Sequence, residues 1–158
     1  MSRAIYASYP GFEADEIRTD RPTGQARLKW VLVVDEALTP GRAANAAVCV
    51  GAATSPLVAG LLGEAAKDGG GSVHPGLPWL GCVVLRAPAG ELSRLRAEAA
   101  VTEGCLVADM PEAAQRVRVY DDYLNAVARS TDLRYAAIGI VGPRDRVSAM
   151  TRGLPLLG

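Results

Sequence analysis

Residues 28–54 read LKWVLVVDEALTPGRAANAAVCVGAAT, and they decide the fold class. Residues 28–34 form a run rich in β-branched side chains that is apolar on both faces, which suits a central strand covered on two sides. Asp35 and Glu36 end the run, and Pro40-Gly41 marks a turn. Residues 42–54 then read as an alanine-rich helix in which Ala43, Ala46, Ala47 and Val50 allow close approach to a sheet. Working outward, Ser55-Pro56 has the form of a cap followed by a first-turn proline, predicting a second helix that ends at the Gly69-Gly70-Gly71 run. The glycine run is expected to be flexible. Residues 79–87 predict a strand, residues 91–100 an amphipathic helix with Leu92, Leu95 and Ala99 on one face, and residues 105–108 a short strand ending at Asp109. A long helix is expected over 111–130, with Val117, Tyr120, Leu124 and Val127 on its buried stripe. Residues 135–141 predict the last strand, and Gly142-Pro143 opens a final helix over 144–152. The alternation predicts a single α/β domain: a mixed, mainly parallel four-stranded sheet with helices on both faces. Residues 1–27 are polar and turn-rich and are read as an N-terminal arm, with Tyr6, Tyr9 and Phe12 available to pack on the body or on a partner subunit.

Composition narrows the function. The chain has 158 residues, 49% of them hydrophobic, enough for one core. Its 17 basic and 17 acidic side chains cancel, whereas proteins living on nucleic acid usually carry a basic surplus. Nucleic acid is therefore not the expected partner, although a local basic face leaves tRNA open. Cys49, Cys82 and Cys105 show no CxxC spacing and sit in apolar runs. They read as small buried hydrophobes in a reducing compartment, not as a disulfide framework or a metal site. The longest apolar stretch, residues 43–53, is too short to span a bilayer, and the first residues have no signal-peptide pattern, so a cytoplasmic location is expected. No cofactor-binding motif is present.

Four places carry candidate chemistry. Arg42 stands in the first turn of the helix after the leading strand, where an anion is favoured, and is otherwise a solvated helix-start arginine. Asn45 interrupts an apolar helix and is either hydrogen-bonded to the adjacent loop or offered to a ligand. Asp109 follows a short strand and is either a crevice carboxylate or a helix cap. His74, the one histidine, lies in a glycine- and proline-rich loop and titrates in the right range for a general base. Arg116, Arg118 and Arg129, offset by Asp121, Asp122 and Asp132, read as a solvated face.

Three segments resemble a known family. KWVLVVDEALTPGRAANAAVCVGAA, TEGCLVADMPEAAQ and AIGIVGPRDRVSAMTRGLPLL are similar to the opening strand–loop–helix, the central motif and the closing strand–turn–helix of peptidyl-tRNA hydrolase type 2. The patterns LKWVLVVD, PGRAANAAVC, HPGLPW, DMPEAAQ and VYDDYL more specifically resemble a bacterial group, the domain of unknown function 2000 family, over residues 28–158. The resemblance implies a peptidyl-tRNA hydrolase type 2-like fold with an altered site. Arg42 and Ala44 stand where the hydrolases have lysines, Val48 and Gly51 where they have glutamine and histidine, and Ala113 or Ala114 where they have threonine. Asp109 is kept, and Gln115 stands in for the motif glutamine. Arginine keeps the charge but cannot shuttle a proton at neutral pH. The resulting expectation is a pocket of Arg42, Asn45, Asp109, Gln115 and Tyr120, with His74 and Tyr123 at hand, that binds a small anionic or zwitterionic ligand in a homo-oligomer. The alternatives are a small-molecule hydrolase or acyl-transfer enzyme using Asp109, with His74 as base, and a residual peptidyl- or aminoacyl-tRNA hydrolase.

Overall fold

The computed structural model describes residues 9–158; Tyr6 lies outside them. The leading run forms β1 (Leu28–Asp35), ended by an Asp35 side chain that accepts the Ala37 N–H at 3.0 Å. It is followed by α1 (Pro40–Thr54), then by a two-strand hairpin, β2 (Ala66–Lys67) and β3 (Val73–His74). Next come β4 (Val83–Ala87), α2 (Ala89–Val101) and β5 (Leu106–Pro111). The chain closes with α3 (Tyr120–Arg129), β6 (Tyr135–Pro143) and α4 (Arg144–Met150). No helix among the described residues is long and apolar enough to cross a membrane.

The four long strands form one sheet in the order β4-β1-β6-β5. Alternation along β1 divides the core. Val31 and Val33 meet Leu92, Leu95 and Ala99 of α2 and Val147 of α4 on one face, while Leu32 and Val34 meet Ala43, Ala46 and Val50 of α1 on the other. A third cluster joins Phe12 of the arm to Leu28, Trp30, Val58, Leu61 and Leu80. The arm therefore packs on the body of its own chain, and the Phe12 and Trp79 rings lie 4.8 Å apart.

The expected mainly parallel sheet is corrected. Strands β1, β4 and β5 share a direction, but β6 runs against them between β1 and β5, so two of the three pairings are antiparallel. An antiparallel return needs no helix crossing the sheet. The long helix expected over 111–130 fails for the same reason. A 3-10 turn, Glu112–Gln115, is followed by irregular backbone and then α3, which has no buried residue. Its expected core stripe is largely outside: Tyr120 is 71% exposed and Leu124 48%.

The second helix, expected up to the glycine run, is one 3-10 turn, Ser55–Leu57. Gly60 takes a left-handed φ of 72°. The neighbouring carbonyls are used in tertiary bonds, Ala59 by the Phe12 N–H at 2.9 Å and Gly60 by the Trp79 indole at 2.8 Å. Tertiary hydrogen bonding overrides helix propensity here. The glycine run closes the β2–β3 hairpin, with the Asp68 carboxylate accepting the Gly70 and Ser72 N–H groups. Strand β4 starts four residues later than expected because Gly81 turns the chain at φ 73°. Strand β5 runs past Asp109 instead of ending before it. The thiols also depart from expectation: Cys49 is exposed, and Cys82 and Cys105 are half-buried. Burial pushes the Cys82 thiol up to about 12.

The arm is clamped by Arg27, whose guanidinium donates to both Glu16 oxygens and to the Gly11 carbonyl. These hydrogen bonds hold the Glu16 carboxyl at about 2, below its ordinary 4.5. A depressed carboxylate contributes fully above its unfolded value and is lost as pH falls through its folded one. Titration of Glu16 followed by NMR should therefore show a midpoint at about 2. In Arg27→Met it should rise toward the ordinary value of 4.5, held below it by the remaining Glu13 N–H hydrogen bond. Equal midpoints in the two proteins would refute the clamp.

Candidate functional site

Strand β5 is an edge of the sheet. Its alternation buries Leu106, Ala108 and Met110 on the α1 side and leaves Val107 and Asp109 half-buried. Asp109 pairs with Ile138 of β6 in register. Its Oδ2 accepts a hydrogen bond from Arg96 Nε of α2 at 3.1 Å. The same guanidinium lies 5.9 Å from the centre of the Tyr135 ring. The Arg96 side chain is 42% exposed, so this ion pair orients Asp109 more than it stabilises the fold; pairs of this kind are worth ~0–1 kcal/mol.

Asp109 lines a cavity of about 360 Å³ at this edge. Strand β5 supplies Asp109 and Met110, α1 supplies Cys49, the 3-10 turn supplies Ala114, and the segment after it supplies Val117, Arg118 and Val119. Helix α3 adds Tyr120 and Tyr123, whose ring centroids are 5.4 Å apart at 51°. The Tyr123 phenol is pushed above its ordinary value, first by burial and then by the negative charge of Asp109. It is therefore a neutral hydrogen-bond donor across the physiological range. Arg118 forms no hydrogen bond or ion pair with the described residues.

The expected site residues divide into three groups. Asp109 and Tyr120 share this cavity. Arg42, Asn45 and Gln115 meet one another behind it: the Gln115 amide donates to the Arg42 carbonyl at 2.9 Å and to Asn45 Oδ1 at 3.2 Å. That contact ties the 3-10 turn to α1, and the exposed Arg42 guanidinium is not among the cavity's walls. His74 stands apart. It lines a separate cavity with Ile17, Leu62 and Trp79, is 60% exposed, and lies 3.3 Å from Asp68 across its own hairpin. Arg42, His74 and Asp109 therefore do not share one pocket. Among the described residues no group of three His, Cys, Asp or Glu is arranged to hold a metal.

Sequence reasoning missed Arg96, Arg118 and Cys49. A signal for Arg118 was present: Arg116-Val117-Arg118-Val119 alternates with period two, against a helix at that point.

Residues 28–158 match the model of a family described as protein of unknown function (DUF2000). The chain belongs to this family. A solved structure similar to it is protein of unknown function Atu0240 from Agrobacterium tumefaciens strain C58, with a TM-score of 0.70 at 16% identity. The match covers 84% of this chain and 98% of that one, and at this identity it shows a shared fold. Comparison with curated proteins gives no match.

If Gln115 is the tie between the 3-10 turn and α1, Gln115→Ala should cost roughly 1 kcal/mol. It should also speed amide exchange across residues 112–119 while leaving the α1 amides unchanged. Unaltered exchange in that segment would show that the tie carries nothing.

Proposed function

We propose that this DUF2000 protein is a binding module whose β5-edge pocket takes a small zwitterionic or anionic ligand. The observation that carries the reading is the unpaired Arg118 guanidinium in the same aromatic-walled cavity as Asp109. Arginine matches a carboxylate with two parallel N–H bonds. Asp109 Oδ1, which accepts no hydrogen bond among the described residues, is an acceptor for an ammonium group. Tyr120 and Tyr123 flank the apolar body of the ligand, and the neutral Tyr123 phenol adds a donor. A volume of about 360 Å³ falls in the range of small-ligand sites.

Binding is favoured over catalysis because the histidine that a hydrolase reading needs as base lines a different cavity. The ancestral-type chemistry is further disfavoured by Ala44, Val48, Gly51 and Ala113 in place of its polar residues. A relationship of the fold to peptidyl-tRNA hydrolase type 2 is part of the proposal and is supported by the three resembling segments.

A calorimetric panel of amino acids and short carboxylates tests it. Arg118→Ala should weaken the best binder by ten- to a hundredfold, the scale of a lost charge-assisted pair. Asp109→Asn should remove the preference for a zwitterion over the matching simple acid while leaving acid binding in place. A panel without a binder, or an Arg118→Ala protein that binds equally well, would refute the assignment.

The exposed Tyr120 and Leu124 of α3 support self-association, since an uncovered apolar helix face next to a pocket marks a contact surface. Sedimentation should show a concentration-dependent larger species that Leu124→Glu abolishes; a monomer at every concentration would overturn this.

A further inference from the structure

The sheet has two edges, β4 and β5, and they are finished differently. The C-terminal segment covers β4. The Arg86 N–H donates to the Pro155 carbonyl and the Leu157 N–H to the Val84 carbonyl, both at 3.0 Å, and Leu85 faces Leu156 in an antiparallel bridge. No described segment does the same for β5.

The pairing of β5 with β6 decides which of its backbone groups are left over. In an antiparallel ladder every second residue bonds to the partner strand, and the residues between turn their N–H and C=O groups the other way. An added Gly139 Cβ would stand 3.7 Å from the Ala108 carbonyl oxygen, so Ala108 bonds toward β6. The Glu112 N–H, donated to the Arg134 carbonyl at 2.9 Å, has the same parity. Leu106, Ala108 and Met110 therefore serve β6, and Val107 and Asp109 present their N–H and C=O groups on the outer side. No hydrogen bond from the described residues reaches these groups. Pro111, without an N–H, ends the free edge. Such an edge is a template for another extended chain.

This edge leads into the pocket of Asp109 and Arg118. Asp109 and Met110 are pocket walls and Val107 is not, so the pocket stands at the C-terminal end of the free edge. Its charges favour an acid end over an amine end. Asp109 is already paired with Arg96 at 3.1 Å, whereas Arg118 has no partner among the described residues.

We infer, resting on the pocket proposed at this edge, that its ligand is the C-terminal end of a peptide, added to β5 as a parallel strand with its terminal carboxylate on Arg118. A carboxylate at the Met110 end makes the peptide run in the direction of β5. In parallel pairing the Asp109 carbonyl then accepts the N–H of the last peptide residue, and the Asp109 N–H donates to the carbonyl two residues earlier. Val107 repeats the pattern two residues further back. Every second peptide amide is used and the one between is idle, as strand addition requires. The last side chain meets the apolar walls between Tyr120 and Tyr123.

The test is calorimetry on the full chain with an acetylated pentapeptide, four alanines followed by a leucine with a free carboxylate, and with acetyl-leucine as the match that fills the pocket alone. The pentapeptide should bind at least about tenfold more tightly than acetyl-leucine, and its C-terminal amide at least about tenfold more weakly than the free acid. N-methylation of the third residue's amide should weaken binding about tenfold, and N-methylation of the fourth should leave it unchanged. Hydrogen exchange at the Val107 and Asp109 amides should slow with the pentapeptide and not with acetyl-leucine. Val107→Pro removes an outward N–H and spares the β6 ladder. It should weaken the pentapeptide about fivefold, the factor for one lost hydrogen bond, and leave acetyl-leucine unchanged. The methylated peptides keep the test decisive if that variant does not fold. Equal affinity of pentapeptide and acetyl-leucine, or equal losses at the two methylated positions, would overturn the inference and leave the small-ligand pocket standing. An amidated peptide that binds as well as the acid, or no binding of either ligand, would overturn both.

Discussion

The antiparallel insertion of β6 between β1 and β5 is the constraint on which the rest of the structure depends. Eight successive residues of this strand, from Tyr135 through Gly142, are buried. Gly139 lies where an added Cβ would stand 2.7 Å from Val50 of α1. Helix α1 therefore settles close over β6, helped by its own alanines, and its position follows from the absence of a side chain there. Placing α1 over β6 covers the centre of the sheet and leaves the same face of β4 open. A cavity of about 740 Å³ between α1 and β4, lined by Ala44, Ala47, Val84 and Arg86, is thus a consequence of where β6 sits.

The same insertion sets the other edge. Because β6 returns antiparallel to β5, the chain between them has no sheet to cross. Helix α3 is released from core duty and stands beside the edge strand, its tyrosines walling a cavity with Asp109. Ten residues of helix are marginal in water without tertiary packing, so the Tyr120–Tyr123 pair and the 3-10 turn pinned by Gln115 matter locally. Site and scaffold are separable here: the three layers would stand with a different residue at 118, while the pocket's charge complement would not.

Much of the scaffold was legible in the sequence. The β-branched run at 28–34, the alanine spacing of α1 and the Leu92-Leu95-Ala99 stripe of α2 each carry a local signal that the structure obeys, whereas Gly142-Pro143, read as the turn that opens α4, is the end of β6. What was not legible depends on long-range partners. Residues 58–67 have helical composition, but the carbonyls of Ala59, Gly60 and Leu61 are claimed by Phe12 and Trp79. Strand direction in the sheet has no local signature, and the amphipathic pattern of α3 marks an apolar face without saying whether the core covers it. Of the site, Asp109 and Tyr120 could be singled out as residues, but their company could not: Arg118 looked like one charge of a solvated face, and His74 looked available until the hairpin carried it elsewhere.

The central claim, a zwitterion- or anion-binding pocket at the β5 edge, is tested most directly by a crystal structure of the chain grown with an amino acid that it binds. The account predicts the ligand between Tyr120 and Tyr123, with its carboxylate on Arg118 and its ammonium on Asp109. A ligand bound elsewhere, with the edge cavity empty, would contradict it.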